Sequence, residues 1–205
     1  MPATTSTPAR GIPAQQIRAR FTDTTITVYQ AYAPGIGGPA ARDGRFPAAW
    51  KRDRMTWIKP SFLWMMYRCG WGTKEGQETV LAVEITREGF DGALENACLS
   101  HYVPGSHANH DAWRRDLRRS PARVQWDPER DFHLRSLPHR SLQLGLSGPL
   151  AKQYADTWVC SITDVTLLAH TIHALVRAGD TAAAADLLPP ERPYPAVPSA
   201  RIANG

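Results

Sequence analysis

Lysine is scarce in this chain. Lys51, Lys59, Lys74 and Lys152 are the only ones among 24 basic residues, so arginine supplies the other 20. Cysteine is scarcer still. Cys69, Cys98 and Cys160 stand apart, without the paired spacing of a disulfide framework or a zinc knuckle. No apolar run is long enough to cross a bilayer. The opening "MPATTSTPARGIPAQQ" lacks the basic-then-apolar order of a secretory signal, so the cytoplasm is the expected location. A Gly-rich phosphate loop, a nucleophile elbow and a helical two-His zinc motif are also missing. "GIGGPAA" is too short and wrongly placed for a dinucleotide fingerprint. The loop "HYVPGSHANHD" carries His101, His107 and His110 without metal-ligand spacing, and no metal is expected.

What is present suits one globular domain. The chain has 205 residues, 42% of them hydrophobic and 21% charged, enough to bury a core. Its net charge of +5 rests on arginine, whose planar guanidinium grips phosphate or carboxylate through two parallel hydrogen bonds. A GC-rich codon bias accounts for the same excess, since it favours Arg, Ala, Gly and Pro together.

Residues 1–15 read as a disordered leader, 16–187 as the domain, and 188–205 as a Pro-rich tail. "TTITVYQAYA" (24–33) alternates as a strand, with Ile26, Val28, Gln30 and Tyr32 opposite Thr27, Tyr29 and Ala31. A short helix ends at Gly44. Met55 to Ile58 extend, Pro60 opens a helix to about Cys69, and Gly70 stops it. Further strands are expected at 78–87, up to Trp126 and at 140–146, with helices in "EGFDGALENACL", 148–158 and 163–179. This irregular mixture predicts an α+β fold of small mixed or antiparallel sheets flanked by helices.

The densest chemistry lies in "RMTWIKPSFLWMMYRCGW" (54–71), which holds three of the seven Trp and three of the four Met. Phe62, Met65, Met66 and Cys69 form a core-facing helical stripe. Arg54, Thr56, Lys59 and Ser61 gather at the strand-to-helix junction, where free N–H groups favour an anion. Trp57 and Trp64 offer flat surfaces for a ring. A solvated Lys59 and Arg54 over a core Trp57 is the structural alternative. Tyr29 and Gln30 sit near a strand end, where Gln30 is either a satisfied buried amide or a substrate contact. Arg18 and Arg20 share one side of an extended segment, as a phosphate clamp or as an exposed basic edge. Arg140, Ser141 and Gln143 lie beside a leucine face. Asp127, Glu129 and Asp131 in "WDPERD" read as solvated turn residues, or as a base beside a pocket.

"IRARFTDTTITVYQAY", "RMTWIKPSFLWMMYRCGW", "VLAVEITREGF" and "RSLQLGL" together resemble the domain of unknown function 4291 family, across roughly residues 16–178. The order of strand, short helix, "GRF", second strand and aromatic-bearing helix is also similar to the start of ADP-ribosyltransferase-type folds. That likeness implies NAD in a cleft between two small sheets. It implies Gln30 at the first-strand position that recognises the nicotinamide ribose, although Arg or His is usual there. It further implies Tyr67 stacking on nicotinamide and Glu129, or Gln143, supplying polarity to the ribose. The expectation is therefore a nucleotide-binding transferase with NAD as cofactor, acting on a nucleotide or nucleic acid. The alternative is a non-catalytic nucleic-acid-binding module using the same cationic, aromatic cleft.

Overall fold

The computed structural model describes residues 12–195, so most of the expected leader and the tail beyond Pro195 lie outside the described residues. In chain order the first elements are β1 (Arg18–Ala19), β2 (Thr25–Tyr32), α1 (Pro34–Asp43), β3 (Thr56–Ile58), α2 (Phe62–Cys69), β4 (Thr79–Thr86) and α3 (Arg87–Glu95). There follow β5 (Ala97–Leu99), α4 (His110–Arg119), β6 (Ala122–Arg130), β7 (Ser136–Leu146) and α5 (Pro149–Gln153). A π-helical turn (Tyr154–Trp158), β8 (Val159–Asp164), α6 (Thr166–Arg177), α7 (Thr181–Asp186) and β9 (Arg192–Pro193) complete it.

The fold is α+β, with three small sheets. β2, β4 and β8 form an antiparallel sheet with β4 in the middle. A four-stranded sheet runs β3, β7, β6, β5, antiparallel except for the parallel β5–β6 pair. β1 and β9 pair antiparallel, joining the two ends of the described chain.

The alternation of β2 works on both faces. Ile26 and Val28 enter a core shared with Leu142, Leu144 and Leu146 of β7 and with Phe90 of α3. Tyr29 points the other way, into a second core with Phe62, Met65 and Met66 of α2 and Ile172 of α6. The helical stripe expected in α2 is thus core. Truncating one of its large apolar members removes about 2–5 kcal/mol.

Several elements differ from the sequence expectation. "ACL", expected at the end of a helix, is β5, because parallel pairing with Ala122–Val124 outweighs local helical pattern. β6 does not stop near Trp126 but runs through "DPER", where a register shift between Pro128 and Arg130 absorbs the proline. The expected helix 148–158 is α5 followed by the π turn. β8 occupies 159–164, so the long helix begins only at Thr166, whose N–H is capped by the Asp164 carboxylate at 2.8 Å. Pro60 precedes α2 rather than opening it, and Ser61 is the N-cap. Order continues past residue 187: β9 pairs with β1, and Tyr194 is buried against Phe21 and Phe90.

Candidate functional site

Two sheets meet where β3 runs beside β2. Their link is the Tyr29 N–H donating to the Lys59 carbonyl at 2.7 Å, reinforced by a side chain. The Gln30 carboxamide, 4% exposed, donates to Thr56 Oγ1 at 2.8 Å and to the Trp57 carbonyl at 3.0 Å. Its own Oε1 accepts the Tyr154 hydroxyl at 2.6 Å. Both N–H groups of Gln30 are thereby used by the protein, which makes it a pin between β2, β3 and the π turn.

Above this pin opens a cleft of about 470 Å³. Gln30 and Thr56 lie at its floor, with Trp50, Trp57, Met55 and Met65 supplying apolar wall. Lys51, Arg54, Lys59 and Arg68 also line it, and no Asp or Glu does. None of these four cations is in an ion pair among the described residues. A second hollow of about 730 Å³ lies beside the same loop, but its Arg52 is already paired with Asp156 at 2.8 Å. The first cleft is the one with uncompensated charge.

Each wall has a local cause. The segment carrying Lys51 and Arg54 is held by Arg52, which bonds Asp156 and reaches the carbonyls of Phe46, Pro47 and Trp50. Trp50 stacks on Phe46 with centroids 4.8 Å apart and donates its indole N–H to Tyr32 at 2.9 Å. Met65 and Arg68, three residues apart on α2, share the face that looks into the cleft. Trp57 lies flat across Gly145, its register partner on β7. A Cβ at Gly145 would stand 3.0 Å from three ring atoms.

Lys59 is the unusual member. It is 6% exposed, and among the described residues its Nζ meets the Trp57 carbonyl at 3.4 Å and the Trp64 ring at 5.1 Å. Burial first, and the Arg68 charge second, pull its pKa down to about 7. The adjacent Trp64 indole N–H is buried and has no hydrogen-bond partner among the described residues.

The helix start itself differs from expectation. Ser61 does not face the cleft: its Oγ accepts the Trp64 N–H at 3.2 Å and donates to Glu129 Oε1 at 2.9 Å. The Phe62 N–H donates to Glu191 Oε1 at 2.7 Å. A carboxyl oxygen does accept a free N–H at the start of α2, but the chain supplies it. Burial first, and the neighbouring Glu129 charge, push Glu191 up to about 8 against the Phe62 N–H and Arg18, and burial also raises Glu129. "WDPER" is therefore not a solvated turn at Glu129, which is buried and also accepts the Arg130 N–H at 2.8 Å.

Of the residues singled out in the sequence, the cleft gathers Gln30, Arg54, Thr56, Trp57 and Lys59. The others lie elsewhere. Tyr67 is exposed, with the Arg130 guanidinium 3.6 Å from its ring centroid. Gln143 donates to Asp127 at 2.7 Å, and Gln125 takes the other Asp127 oxygen at 3.0 Å. Tyr29 is core, and burial raises its pKa. Arg18 bonds the Glu191 carbonyl at 3.0 Å, Arg20 is exposed, and Arg140 bonds the Trp126 carbonyl at 2.9 Å. Trp64 packs against Lys59 and Tyr67. Sequence reasoning missed Lys51, Arg52, Trp50 and Arg68. Only Arg68 carried a signal, being three residues after Met65 on a helix already predicted.

An α+β domain of small sheets with an acid-free cationic cleft is the class this geometry defines. The profile of the family described as Domain of unknown function (DUF4291) matches residues 16–194, and the chain belongs to that family. No curated protein matches the chain at a significant level. No helix among the described residues is long and apolar enough to cross a membrane.

Proposed function

We propose that the cleft between the two sheets binds a nucleotide-like anion. The observation that carries this reading is the lining of four cationic side chains without one carboxylate, together with Trp50 and Trp57. Lys51, Arg54 and Arg68 take the phosphate, with bidentate geometry open to the two guanidinium groups. An indole face takes the base. NAD belongs to the candidate ligands, and ADP-ribosyl transfer is the reaction that the fold-level likeness suggests. That chemistry needs a polar group at the ribose, and Gln30 is the nearest candidate, oriented but already bonded.

A thermal-shift series with AMP, ATP and NAD tests the reading, with free nicotinamide followed in the NAD arm. A ligand at ~100 times its dissociation constant adds ~2.7 kcal/mol of stability. No shift with any of the three, at millimolar concentration, removes the nucleotide reading.

One observation favours a second reading, a nucleic-acid-binding surface. Helix α4 exposes Arg114, Arg115, Arg118 and Arg119 and buries none of its residues. Binding of single-stranded RNA or DNA that weakens steeply with salt, and that these arginines control, supports it.

A further inference from the structure

From the placement of the buried amine in the cleft wall, we infer that Lys59 is a nucleophile that captures a small anionic aldehyde or ketone as an imine. This goes beyond nucleotide binding. It uses the same cleft but does not require a base or ribose.

Four observations converge on Lys59. Lys59 lines the cleft, and among the described residues its Nζ makes one hydrogen bond, the long contact to the Trp57 carbonyl. Among the described residues no carboxylate pairs with it to lock it as an ammonium. The charged or titratable groups around it are Arg68 and Cys69 from α2 and Asp127 from β6, and among these Arg68 opposes a second positive charge. Beside it, the buried Trp64 N–H lacks an acceptor among the described residues. Burial and Arg68 together outweigh Asp127 and Cys69 and favour the free amine. Near neutral pH such an amine is about half unprotonated, whereas an ordinary lysine is so on the order of one part in a few thousand.

The chemistry balances without any redox partner. The Nζ lone pair attacks the carbonyl carbon, and the C=O π pair moves to oxygen. A proton passes from nitrogen to that oxygen, giving a neutral carbinolamine. Protonation of its hydroxyl releases water and leaves the C=N⁺ iminium. An anionic substituent on the substrate, held by Arg54, Arg68 and Lys51, stabilises that new positive charge in place of the missing carboxylate. The substrate class is thus a carbonyl compound bearing phosphate or carboxylate within one cleft length of the carbonyl.

Having only four lysines makes the test clean. The wild-type chain is incubated at pH 7 with sub-saturating pyridoxal 5′-phosphate, an anionic aldehyde, and the imine is fixed with sodium borohydride. Peptide mapping then gives the labelling of each lysine. Lys59 is expected to label at least about tenfold faster than the exposed Lys74 and Lys152, and unphosphorylated pyridoxal should lose that selectivity. Lys59→Arg removes the amine and should lose only the Lys59 label. Labelling of Lys59 no faster than Lys74 and Lys152 overturns the inference. Mapping the wild-type protein needs no variant to fold. Selective labelling in a protein that binds no nucleotide upholds the imine and removes only the nucleotide reading; nucleotide binding with unselective labelling does the reverse.

Discussion

The Glu191 carboxylate accepts the Phe62 amide at 2.7 Å, across 129 residues of sequence. A residue just before β9 therefore caps the helix that forms one wall of the cleft. The cap joins the last described strand to the site and fills the anion position at the start of α2 with the chain's own acid. The cleft beside it is left with cations alone.

That cap predicts a pH signature. Glu191 has its folded pKa raised from 4.5 to about 8, so the folded state holds its proton longer than the unfolded chain. Its contribution is full below about 4.5 and is lost as pH rises through about 8. Lys59 acts with opposite sign, so wild type and Glu191→Gln must be compared. In urea unfolding at pH 5, 7 and 9, the variant is expected to gain relative to wild type as pH rises. A constant difference across the three pH values contradicts the assignment.

Lys59 has its folded pKa lowered from 10.5 to about 7. Its contribution is present above 10.5 and lost as pH falls through about 7, where the buried amine must carry charge. Lys59→Met removes that burden and keeps the volume. The variant should be at least as stable as wild type at pH 6, and this advantage should shrink by pH 9. Denaturation midpoints at the two pH values check the sign.

Gln30→Ala should destabilise the fold by about 2–3 kcal/mol, since it strands the buried Tyr154 hydroxyl and removes the tie between β2 and β3. Arg54→Ala, at an exposed position, should change stability by no more than ~0.5 kcal/mol. Equal losses for both would mean that the floor and the rim of the cleft are not distinct as described.

Gly145→Ala places a Cβ 3.0 Å from the Trp57 ring, between β3 and β7. The ring or the strand pair must move, at about 1–3 kcal/mol. The movement should also weaken ligand binding, because Trp57 is cleft wall. A variant with unchanged melting temperature and affinity would show that the close approach has no role.

Local pattern made much of this fold legible. The two-sided alternation of β2, the stripe of α2 and the stops at Gly44 and Gly70 follow from side-chain period and backbone freedom alone. β5 and β8 were hidden because each is formed by pairing with a distant strand, and β9 because two residues carry no period. The site was half legible. Arg54, Thr56, Trp57 and Lys59 are neighbours in sequence, so their spacing announced them. Lys51 and Arg68 reach the cleft only because Arg52 pins a loop to the π turn and α2 turns its Met65 face inward. Glu129 read as a turn residue because a proline precedes it, and only the bulge in β6 returns it to the interior.

The central claim is that the cleft takes an anion, and proton-linked calorimetry addresses it directly. ATP and NAD are titrated at pH 7.5 in two buffers of different ionisation enthalpy, into wild type and Arg54→Ala. An anion near Lys59 raises the pKa of its amine, so binding should take up protons and the measured heat should depend on the buffer. Arg54→Ala should weaken binding by about tenfold through loss of a charge-assisted contact. Binding with no proton uptake and no sensitivity to Arg54, or no binding at all, contradicts the account.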